Sequence, residues 1–524
     1  MASHFTWIDY VVLVFYFGSM AALGPLFARK GKTTEGYLLG DRAFPGWLLG
    51  FSMFATSISS VAFVGYPGDS FKTAWYRMTP NYIMPVAVLV AAYFFLPFFR
   101  RTQITSAYEY LETRFGPMTR MYAAISFIIM QVVRVSLILY LVAVLIQTIT
   151  GLNPYVSILL GGIVTSFYSV LGGIRAVMWT DFIQSFILWG GALLCLGVII
   201  YQLPGGVGQI IDVGMANHKF SLYDLNANNE LAPVPFWGSF HEKTVWLFIL
   251  VGLGNWLAEY SANQNVVQRY AAASSIKQAR IAMFICTLFS IPTWAMFMFL
   301  GTAFFVYYQQ FPDPAATEML TGVRKSEEVL PHFVTMQLPQ GLTGLMIAAV
   351  LAAAMSSLSS SISAVSAVSL VDVYKRHIAK DRDDRHYVFF AKSVGALQAF
   401  VMIAGASLLY TYQSKTLLDV ATVLTALTSG GLLGLYCLGF FTTVGNDKSM
   451  LLAIVCTAGY TLYMTGVGLG FVPKEYALNH NYYTGLFGHI IAFVAGYFAG
   501  ALLPGERKDL HNLTIWTQDK TPVQ

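Results

Sequence analysis

The amino-acid sequence predicts an all-α integral membrane protein with about thirteen transmembrane helices. Of its 524 residues, 56% are hydrophobic and only 11% are charged, whereas about a quarter of the residues in a soluble globular protein are charged. The apolar residues fall in segments of about 20 residues or more, which is the length of a helix that crosses a bilayer. These observations exclude a soluble protein and indicate no separate soluble domain between the segments.

The candidate spans follow one another along the chain, and two polar loops between them are long. These loops cover residues 202–243 and 309–340, and we expect both to be external, either as solvated surface or as a lid. The spans lie near residues 7–28, 46–68, 80–99, 120–149, 154–172, 176–201, 244–268, 279–308, 341–373, 387–410, 416–442, 450–471 and 482–503.

Lysine and arginine are concentrated in alternate loops. Arg29 and Lys30 follow the first segment, Arg269 follows the seventh, and Lys375 and Arg376 follow the ninth. Cytoplasmic loops of membrane proteins carry an excess of such cations, so about thirteen crossings place the N-terminus outside and the C-terminus in the cytoplasm. We expect a monomer in the lipid bilayer, with no nucleic-acid partner.

A run of small hydroxyl side chains, AAAMSSLSSS at residues 352–361, interrupts the ninth segment. On a helix, Ala353, Ser356, Ser357 and Ser360 share one face, and Ser359 lies beside it. Small residues allow close packing of helices in a bilayer. Alternatively, their oxygens replace the water shell of a hard cation such as sodium. The run alone leaves both explanations open.

Two other spans contain polar residues at mid-membrane depth: FATSISSVAFVG at 54–65 and GLGNWLAEYSANQN at 252–265. Irregular backbone at this depth is tolerated only where it is buried in protein or lines a cavity. If each interrupted helix opens a unit of five spans, the chain has the inverted-repeat organisation of many transporters. The predicted divisions are 1–45 (an extra helix and linker), 46–201 and 244–442 (the two units), 202–243 (an external loop), and 443–524 (two further helices and a tail).

Three ionisable residues within the spans need partners. Arg134 suits a substrate carboxylate, because arginine binds carboxylates through two parallel hydrogen bonds, but a structural pair with Glu259 is equally compatible. Asp181 either completes an oxygen cage with the serines or is a capping carboxylate near the cytoplasmic face. Glu259 itself has several open roles, including binding a substrate ammonium or a proton.

These residues resemble the sodium:solute symporter family over nearly the whole chain. The resemblance rests on ITSAYEYLETRF at 104–115, GGIRAVMWTD at 172–181, NVVQRY at 265–270 and the serine run. It implies a leucine-transporter-type inverted-repeat fold, and within the family the chain looks most like the bacterial sialic acid symporters. A bacterial inner-membrane location and sodium as the co-transported ion follow from the same resemblance.

The resemblance also implies two sodium sites and a substrate site. Ser356 belongs to both sodium sites. The first site takes the carbonyls of Ala55, Ile58 and Ala353 with the hydroxyls of Ser356 and Ser357; the second takes Asp181, Ser356, Ser359 and Ser360; the substrate positions are Ser57, Ser59, Ala62, Asn81, Arg134 and Tyr260.

The sequence departs from the sialic acid pattern at four of these or neighbouring positions. Ser57 and Ala62 stand where threonines are expected, Asn81 where glutamine is expected, and Glu259 where an amide is expected. The resemblance therefore implies sialic acid or a related sugar acid as the carboxylated substrate. A symporter of monocarboxylates, sugars or amino acids and a membrane sensor that binds a solute without transporting it are the alternatives. An enzyme is disfavoured, because no nucleophile, base and orienting group converge in the sequence.

Overall fold

The protein forms a bundle of long helices in a computed structural model. Arg29, Lys30 and most of the predicted span at 416–442 lie outside the described residues. The structure describes residues 6–28, 31–101, 104–226, 228–339, 341–412, 431–503 and 508–518.

Helices account for most of the described chain, and one short antiparallel hairpin, β1 (Tyr223–Leu225) with β2 (Leu231–Pro233), lies in the first long loop. The helices are α1 (Trp7–Ala28), α2 (Thr34–Leu39), α3 (Gly46–Ser57), α4 (Ser60–Lys72), α5 (Thr79–Tyr82), α6 (Met84–Val90), α7 (Leu96–Arg101), α8 (Glu109–Arg114), α9 (Pro117–Thr150), α10 (Pro154–Gln202), α11 (Gly206–Ala216), α12 (Val245–Ser261), α13 (Gln264–Ala271), α14 (Ile276–Gln310), α15 (Pro314–Thr321), α16 (Val329–Gln337), α17 (Leu342–Val368), α18 (Asp384–Tyr412), α19 (Leu432–Phe441), α20 (Asp447–Leu469) and α21 (Thr484–Leu502).

The predicted spans correspond closely to these helices. In the described part of the chain, nine helical stretches are long and apolar enough to cross a membrane, and two bent pairs of helices pass the same test together. The bent pairs are α3 with α4, at 60°, and α12 with α13, at 51°. The two predicted polar interruptions are therefore real breaks between helices.

Two of the predicted spans, at 154–172 and 176–201, are joined in α10. Its helical path is interrupted at Gly173, where φ is 58° and ψ is −154°. A side chain is disfavoured at this positive φ, and a Cβ atom there would lie 2.7 Å from the carbonyl oxygen of Tyr37. The glycine thus permits both the change of direction and the close approach of the linker helix α2.

Helix α17 lies at the centre of the bundle. Every residue from Met346 to Val368 is buried, and the helix packs against α1, α3, α9, α10, α13 and α18. Its alanines and serines explain this position, because small side chains let neighbouring helices approach closely. The serine run is therefore enclosed by other helices on all sides.

The outer surface of the bundle is apolar, as expected for contact with lipid. On α1, the exposed fractions of Val14 and Phe15 are 71% and 77%, and Phe389 and Phe400 on α18 are similarly exposed at 72% and 69%. In water such surface would be unfavourable, but the hydrocarbon core of a bilayer accommodates it. The exposed apolar side chains and the buried serines together indicate a polar interior within an apolar shell.

Candidate functional site

The break between α3 and α4 exposes backbone groups at the centre of the protein. Ile58 leaves the helix with φ −97° and ψ 105°, and the side chain of Ser59 then caps α4 by accepting a hydrogen bond from the Ala62 amide at 3.3 Å. An extended residue inside a span frees carbonyl groups that a continuous helix would pair. The carbonyls of Ala55 and Ile58 lie at this break, and their role as sodium ligands, which the family resemblance implies, stays a prediction.

Ser356 on α17 connects the serine run to this break. Its hydroxyl donates to the carbonyl oxygen of Ala55 at 2.9 Å and lies 3.2 Å from the carbonyl oxygen of Ala353. The structure thus brings together three of the five residues predicted for the first sodium site. A hydroxyl shared between two carbonyls marks a point where oxygen atoms from two helices converge.

Ser357, the next residue, has an unsatisfied hydroxyl. It is 5% exposed, and no hydrogen-bond partner is found for its oxygen among the described residues. Leaving a buried hydroxyl unpaired costs about 1–3 kcal/mol, so such a group calls for an explanation. A cation bound by oxygen atoms would provide one.

Asp181 on α10 lies against the same serines. Its Oδ1 atom is 3.5 Å from the hydroxyl of Ser359 and its Oδ2 atom is 2.5 Å from the hydroxyl of Ser52 on α3. The hydroxyls of Ser359 and Ser360 both donate to the carbonyl oxygen of Ser356, at 3.1 and 2.7 Å. The residues predicted for the second sodium site therefore form one buried cluster, which Ser356 joins to the first.

Arg269 belongs to this cluster, and its interpretation as a cytoplasmic loop cation is wrong. It is fully buried on α13 and forms an ion pair with Asp181 at 3.0 Å. Its Nη2 atom also donates to the hydroxyl of Ser360 at 2.5 Å. The pairing could not be predicted from sequence position, because Arg269 and Asp181 lie on different spans. The unusual polarity of NVVQRY for a membrane segment was the signal that this segment has a functional role.

Thr56 is a second residue that sequence reasoning missed. Its hydroxyl lies 2.8 Å from that of Ser360 and donates to the carbonyl oxygen of Ser52 at 2.8 Å. The threonine adjoins Ala55 in the broken helix, so its polar side chain at that point was the signal. It links α3 to the second group of serines.

Arg134 lies midway along α9 and is half-buried. Within the described ranges it makes no hydrogen bond or ion pair, with Glu259 or any other residue. One turn earlier, Gln131 is 1% exposed and its amide nitrogen also lacks a partner among the described residues. Residues three apart on a helix are neighbours, so these two side chains offer hydrogen-bond donors to a ligand. Gln131 was not predicted.

The other predicted substrate residues lie around the breaks and have partners within the protein. Ser57 donates to the Phe54 carbonyl at 2.8 Å. Asn81 on α5 donates to the hydroxyl of Tyr66 on α4 at 2.9 Å.

Tyr260 lies in the last turn of α12 and is 2% exposed. Its hydroxyl lies 3.6 Å from the sulfur of Cys286 on α14. Glu259, beside it, accepts a hydrogen bond from Asn263 at 2.8 Å across the second break. This contact satisfies one carboxylate oxygen within the break itself, without an arginine.

The donor set fits sodium. Carbonyls, hydroxyls and one carboxylate are the oxygen ligands that hard cations take from proteins, and the orphan hydroxyl of Ser357 indicates where such an ion would satisfy the protein. In the described part of the chain, no group of three or more His, Cys, Asp and Glu side chains forms a transition-metal site. The cluster is suited to a weakly held alkali cation.

Comparison with known proteins points the same way. The model of the sodium:solute symporter family matches residues 37–442. The chain is 31% identical to the sodium/sialic acid symporter SiaT of Proteus mirabilis, over 86% of this chain and 88% of that protein. It is 28% identical to the sodium/sialic acid symporter NanT of Aliivibrio fischeri, over 96% of this chain and 94% of that protein.

A solved structure is similar along the chain's length. It shows a Na+-coupled sialic acid symporter in a substrate-bound, outward-open state, with a novel Na+ site; the TM-score is 0.83 and the identity 28%, over 96% of this chain and 99% of that one. This similarity confirms the predicted all-α, leucine-transporter-type fold class. The division into two five-helix units and the individual site residues stay predictions.

Proposed function

Because this chain belongs to the sodium:solute symporter family, we propose that it imports sialic acid (N-acetylneuraminate) or a related sugar acid together with two sodium ions. Members of this family move a solute with sodium, so the chain is a multi-pass membrane transporter and not an enzyme, and sodium is its coupling ion. The relatives named as sodium/sialic acid symporters support the substrate class. The number of ions and the site residues are parts of the proposal.

One contact carries the proposal for the first sodium ion: the hydroxyl of Ser356 lies 2.9 Å from the Ala55 carbonyl at the break of α3. The ion would be held by the carbonyls of Ala55, Ile58 and Ala353 and by the hydroxyls of Ser356 and Ser357. The unpaired hydroxyl of Ser357 supports this assignment. Because the ligands come from α3 and α17, sodium would hold the broken helix against the central helix.

The second sodium ion would lie beside Asp181, with oxygen atoms from Ser356, Ser359 and Ser360. The 3.5 Å contact between Asp181 and Ser359 supports this grouping. An ion that moves down a membrane potential of 100 mV contributes about 2.3 kcal/mol for its charge. Two ions with a monoanionic substrate would move one net positive charge per cycle and support strong accumulation.

The substrate carboxylate would bind Arg134, supported by the absence of any partner for this arginine among the described residues. An arginine at the centre of a span costs about 2.5–3.5 kcal/mol on insertion scales, and a bound carboxylate offsets this through paired hydrogen bonds. Ser57, Ser59, Ala62, Asn81 and Tyr260 would surround the rest of the molecule.

Transport would proceed by alternating access. Sodium would stabilise an outward-open state, substrate would complete the site, and rocking of the two units would expose it to the cytoplasm. We further propose that the protein works as a monomer in the bacterial inner membrane, with its N-terminus outside and its C-terminus in the cytoplasm, as the loop cations predict.

Uptake into proteoliposomes tests this function. Radiolabelled N-acetylneuraminate should accumulate under an inward sodium gradient and more strongly when the interior is negative, because net positive charge enters with it. Equal uptake under a proton gradient alone would exclude sodium coupling. Sodium-dependent binding without accumulation would instead identify a sensor. A thermal-shift screen of sugar acids, monocarboxylates and amino acids in sodium would identify the substrate if sialic acid fails.

A further inference from the structure

We propose that the guanidinium of Arg269 is a tethered cation at the second sodium site, and that sodium binds there by displacing it from Ser360 and Asp181. This inference rests on the proposed second site and adds to it a residue on another helix. It makes occupancy of the second site a competition between a fixed cation and a mobile one.

The guanidinium is held entirely by buried groups. Its Nε atom donates to the Ser52 hydroxyl at 2.8 Å, and its Nη2 atom donates to Asp181 at 3.0 Å and to Ser360 at 2.5 Å. The Nη1 atom donates to the carbonyl oxygen of Asn265. Both Arg269 and Asp181 have fully buried side chains. The arginine thus contacts two of the four residues proposed to hold the second ion.

The Ser360 hydroxyl already binds the Arg269 cation in this arrangement. It contacts Arg269, the Ser356 carbonyl at 2.7 Å and the Thr56 hydroxyl at 2.8 Å. A hydroxyl provides one donor and two acceptor sites; Ser360 uses its donor on the Ser356 carbonyl and one acceptor site on Arg269. Ser357, in the first site, has no partner at all among the described residues. The two sites therefore differ: the first has a hydroxyl without a partner, whereas the second has a hydroxyl and a carboxylate that already contact a cation.

Charge leads to the same conclusion. Arg269 and Asp181 form a neutral pair, so sodium added beside them leaves one uncompensated positive charge in a buried site. Such a charge is strongly disfavoured. If the guanidinium moves away from Ser360 and Asp181, sodium takes over its role as the counter-ion of the carboxylate, and the guanidinium keeps the Asn265 carbonyl on its own helix as an acceptor.

The location of Arg269 gives this exchange a consequence for transport. Arg269 lies on α13, the second half of the broken pair that meets α12 at 51°. Asp181 is on α10 and Ser360 on α17, so the arginine ties three helices together. Its displacement by sodium would loosen α13 from α10 and α17, and it would couple the second ion to movement of the broken helix.

Sodium binding to the Arg269→Gln variant tests the proposal. Removal of the tethered cation leaves Asp181 without its counter-ion, so sodium should bind the second site more tightly. We expect the half-saturating sodium concentration for thermal stabilisation to fall by about tenfold or more, with potassium at equal ionic strength as the reference. An unchanged or higher sodium requirement would overturn the proposal and leave Arg269 as a supporting residue for the site.

Further variants keep the test decisive. If Arg269→Gln does not fold, Arg269→Lys keeps the charge but presents a single ammonium in place of the guanidinium fork. The Arg269→Lys variant should lower the half-saturating sodium concentration measurably, but by less than about tenfold. No change in this concentration would count against displacement.

Arg114→Gln is the matched control, because Arg114 is 1% exposed and donates to the carbonyls of Gly439, Thr442 and Val444. It should destabilise the protein equally in sodium and potassium.

The Asp181→Asn variant separates failure of this inference from failure of the two-ion proposal. Binding of radioactive sodium should fall from two ions to one in this variant. If the variant still binds two ions, the second site is not at Asp181 and this assignment fails. If the natural protein binds only one ion, the two-ion proposal fails. If binding falls from two ions to one in Asp181→Asn while Arg269→Gln leaves sodium affinity unaltered, the second site stands and only the displacement by Arg269 is refuted.

Discussion

The hydroxyl of Ser356 donates a 2.9 Å hydrogen bond to the carbonyl oxygen of Ala55, a residue 301 positions earlier in the chain. The contact joins the central helix α17 to the last turn of α3, just before the helix breaks. Through its own carbonyl, Ser356 also accepts hydrogen bonds from Ser359 and Ser360. One serine thus links the two groups of oxygen atoms proposed to hold sodium.

Replacement of Ser356 by alanine should therefore weaken both sodium sites. The variant loses a ligand common to both ions, so we expect the half-saturating sodium concentration for uptake to rise by about tenfold or more, which corresponds to about 1.4 kcal/mol. Sodium dependence of uptake in proteoliposomes measures this. Ser366→Ala is the control, because Ser366 is buried on the same helix and its hydroxyl donates only to its own helix, at the Ile362 carbonyl. Equal sodium dependence in both variants would contradict the shared role.

Replacement of Ser357 by alanine should have opposite effects without and with sodium. The hydroxyl has no partner among the described residues, so its removal should leave the sodium-free protein as stable as before or more stable, by up to about 1–3 kcal/mol. In sodium the variant should gain less stability than the natural protein, because a ligand of the first ion is gone. Melting temperatures in sodium and in potassium measure both effects. A loss of stability in potassium would show that the hydroxyl has a structural role instead.

Replacement of Arg134 by glutamine should abolish binding of a carboxylated substrate and leave the fold intact. The arginine makes no hydrogen bond or ion pair within the described residues, so little structure depends on it. Arg134→Lys should restore only part of the affinity, since a lysine cannot bind a carboxylate through a planar fork. Calorimetric titration in sodium measures the affinity. Ser136→Ala, on the same helix, is the control, because the Ser136 hydroxyl donates only to the Val132 carbonyl. Unaltered substrate affinity in Arg134→Gln would show that Arg134 does not bind the substrate.

An ion-pair network between α8, α9 and the segment after α17 should stabilise the fold. Arg120 contacts Asp372 and Glu112, each at 2.6 Å, and Asp372 is fully buried. Arg120→Gln leaves that carboxylate unpaired, which destabilises proteins by about 3–5 kcal/mol. The double variant Arg120→Gln/Asp372→Asn should recover much of this loss.

Chemical denaturation of both variants in detergent measures the effect of this network. A double variant no more stable than Arg120→Gln would mean that the arginine acts through Glu112 rather than Asp372. Arg324→Gln provides the control, since Arg324 and its partner Glu328 are both more than a third exposed and such surface pairs contribute little.

The stability contributed by Lys219 should depend on pH. This lysine, in the loop after α11, is 3% exposed, and its ammonium donates to the carbonyls of Phe71 and Thr73 at 2.8 Å each, at the end of α4. Burial lowers the pKa of Lys219 from 10.5 to about 7. Between these values the unfolded chain holds a proton that the folded chain has lost, so stability should rise with pH.

The difference in melting temperature between the natural protein and Lys219→Met isolates this effect from other titrating groups. It should change in favour of the natural protein as the pH rises from about 7 to 9. A difference that stays constant over this range would show that the carbonyls keep the ammonium charged. A difference that changes in the opposite direction would contradict the lowered pKa.

The local features of the site could be predicted from the sequence because they depend on residue type and helical period. The spans are marked by apolar length, and the breaks by polar residues at 54–65 and 252–265. The common face of Ser356, Ser357 and Ser360 follows from their spacing alone. The choice of sodium over simple helix packing came from the break at residues 55–58, from Asp181 on another span and from the family resemblance. The comparisons confirm the resemblance at the level of the family.

The partners of the polar groups could not be predicted in this way. Asn81 contacts Tyr66, the Tyr260 hydroxyl lies beside Cys286, and Arg269 is paired with Asp181 instead of lying in a cytoplasmic loop. Each contact joins two different helices, so it depends on their relative rotation and depth. Neither quantity is encoded in the local pattern of either helix.

The sequence by itself determined that this protein is a bundle of transmembrane helices with a polar interior, because hydrophobicity over about 20 residues is a local property. Only the tertiary structure decided which oxygen atoms meet and which cation is already among them. Asp181 and Arg269 are 88 residues apart, and their pairing results from the packing of α10, α13 and α17. In a membrane interior a partner stabilises a buried charge, and the fold determines which partner is within reach.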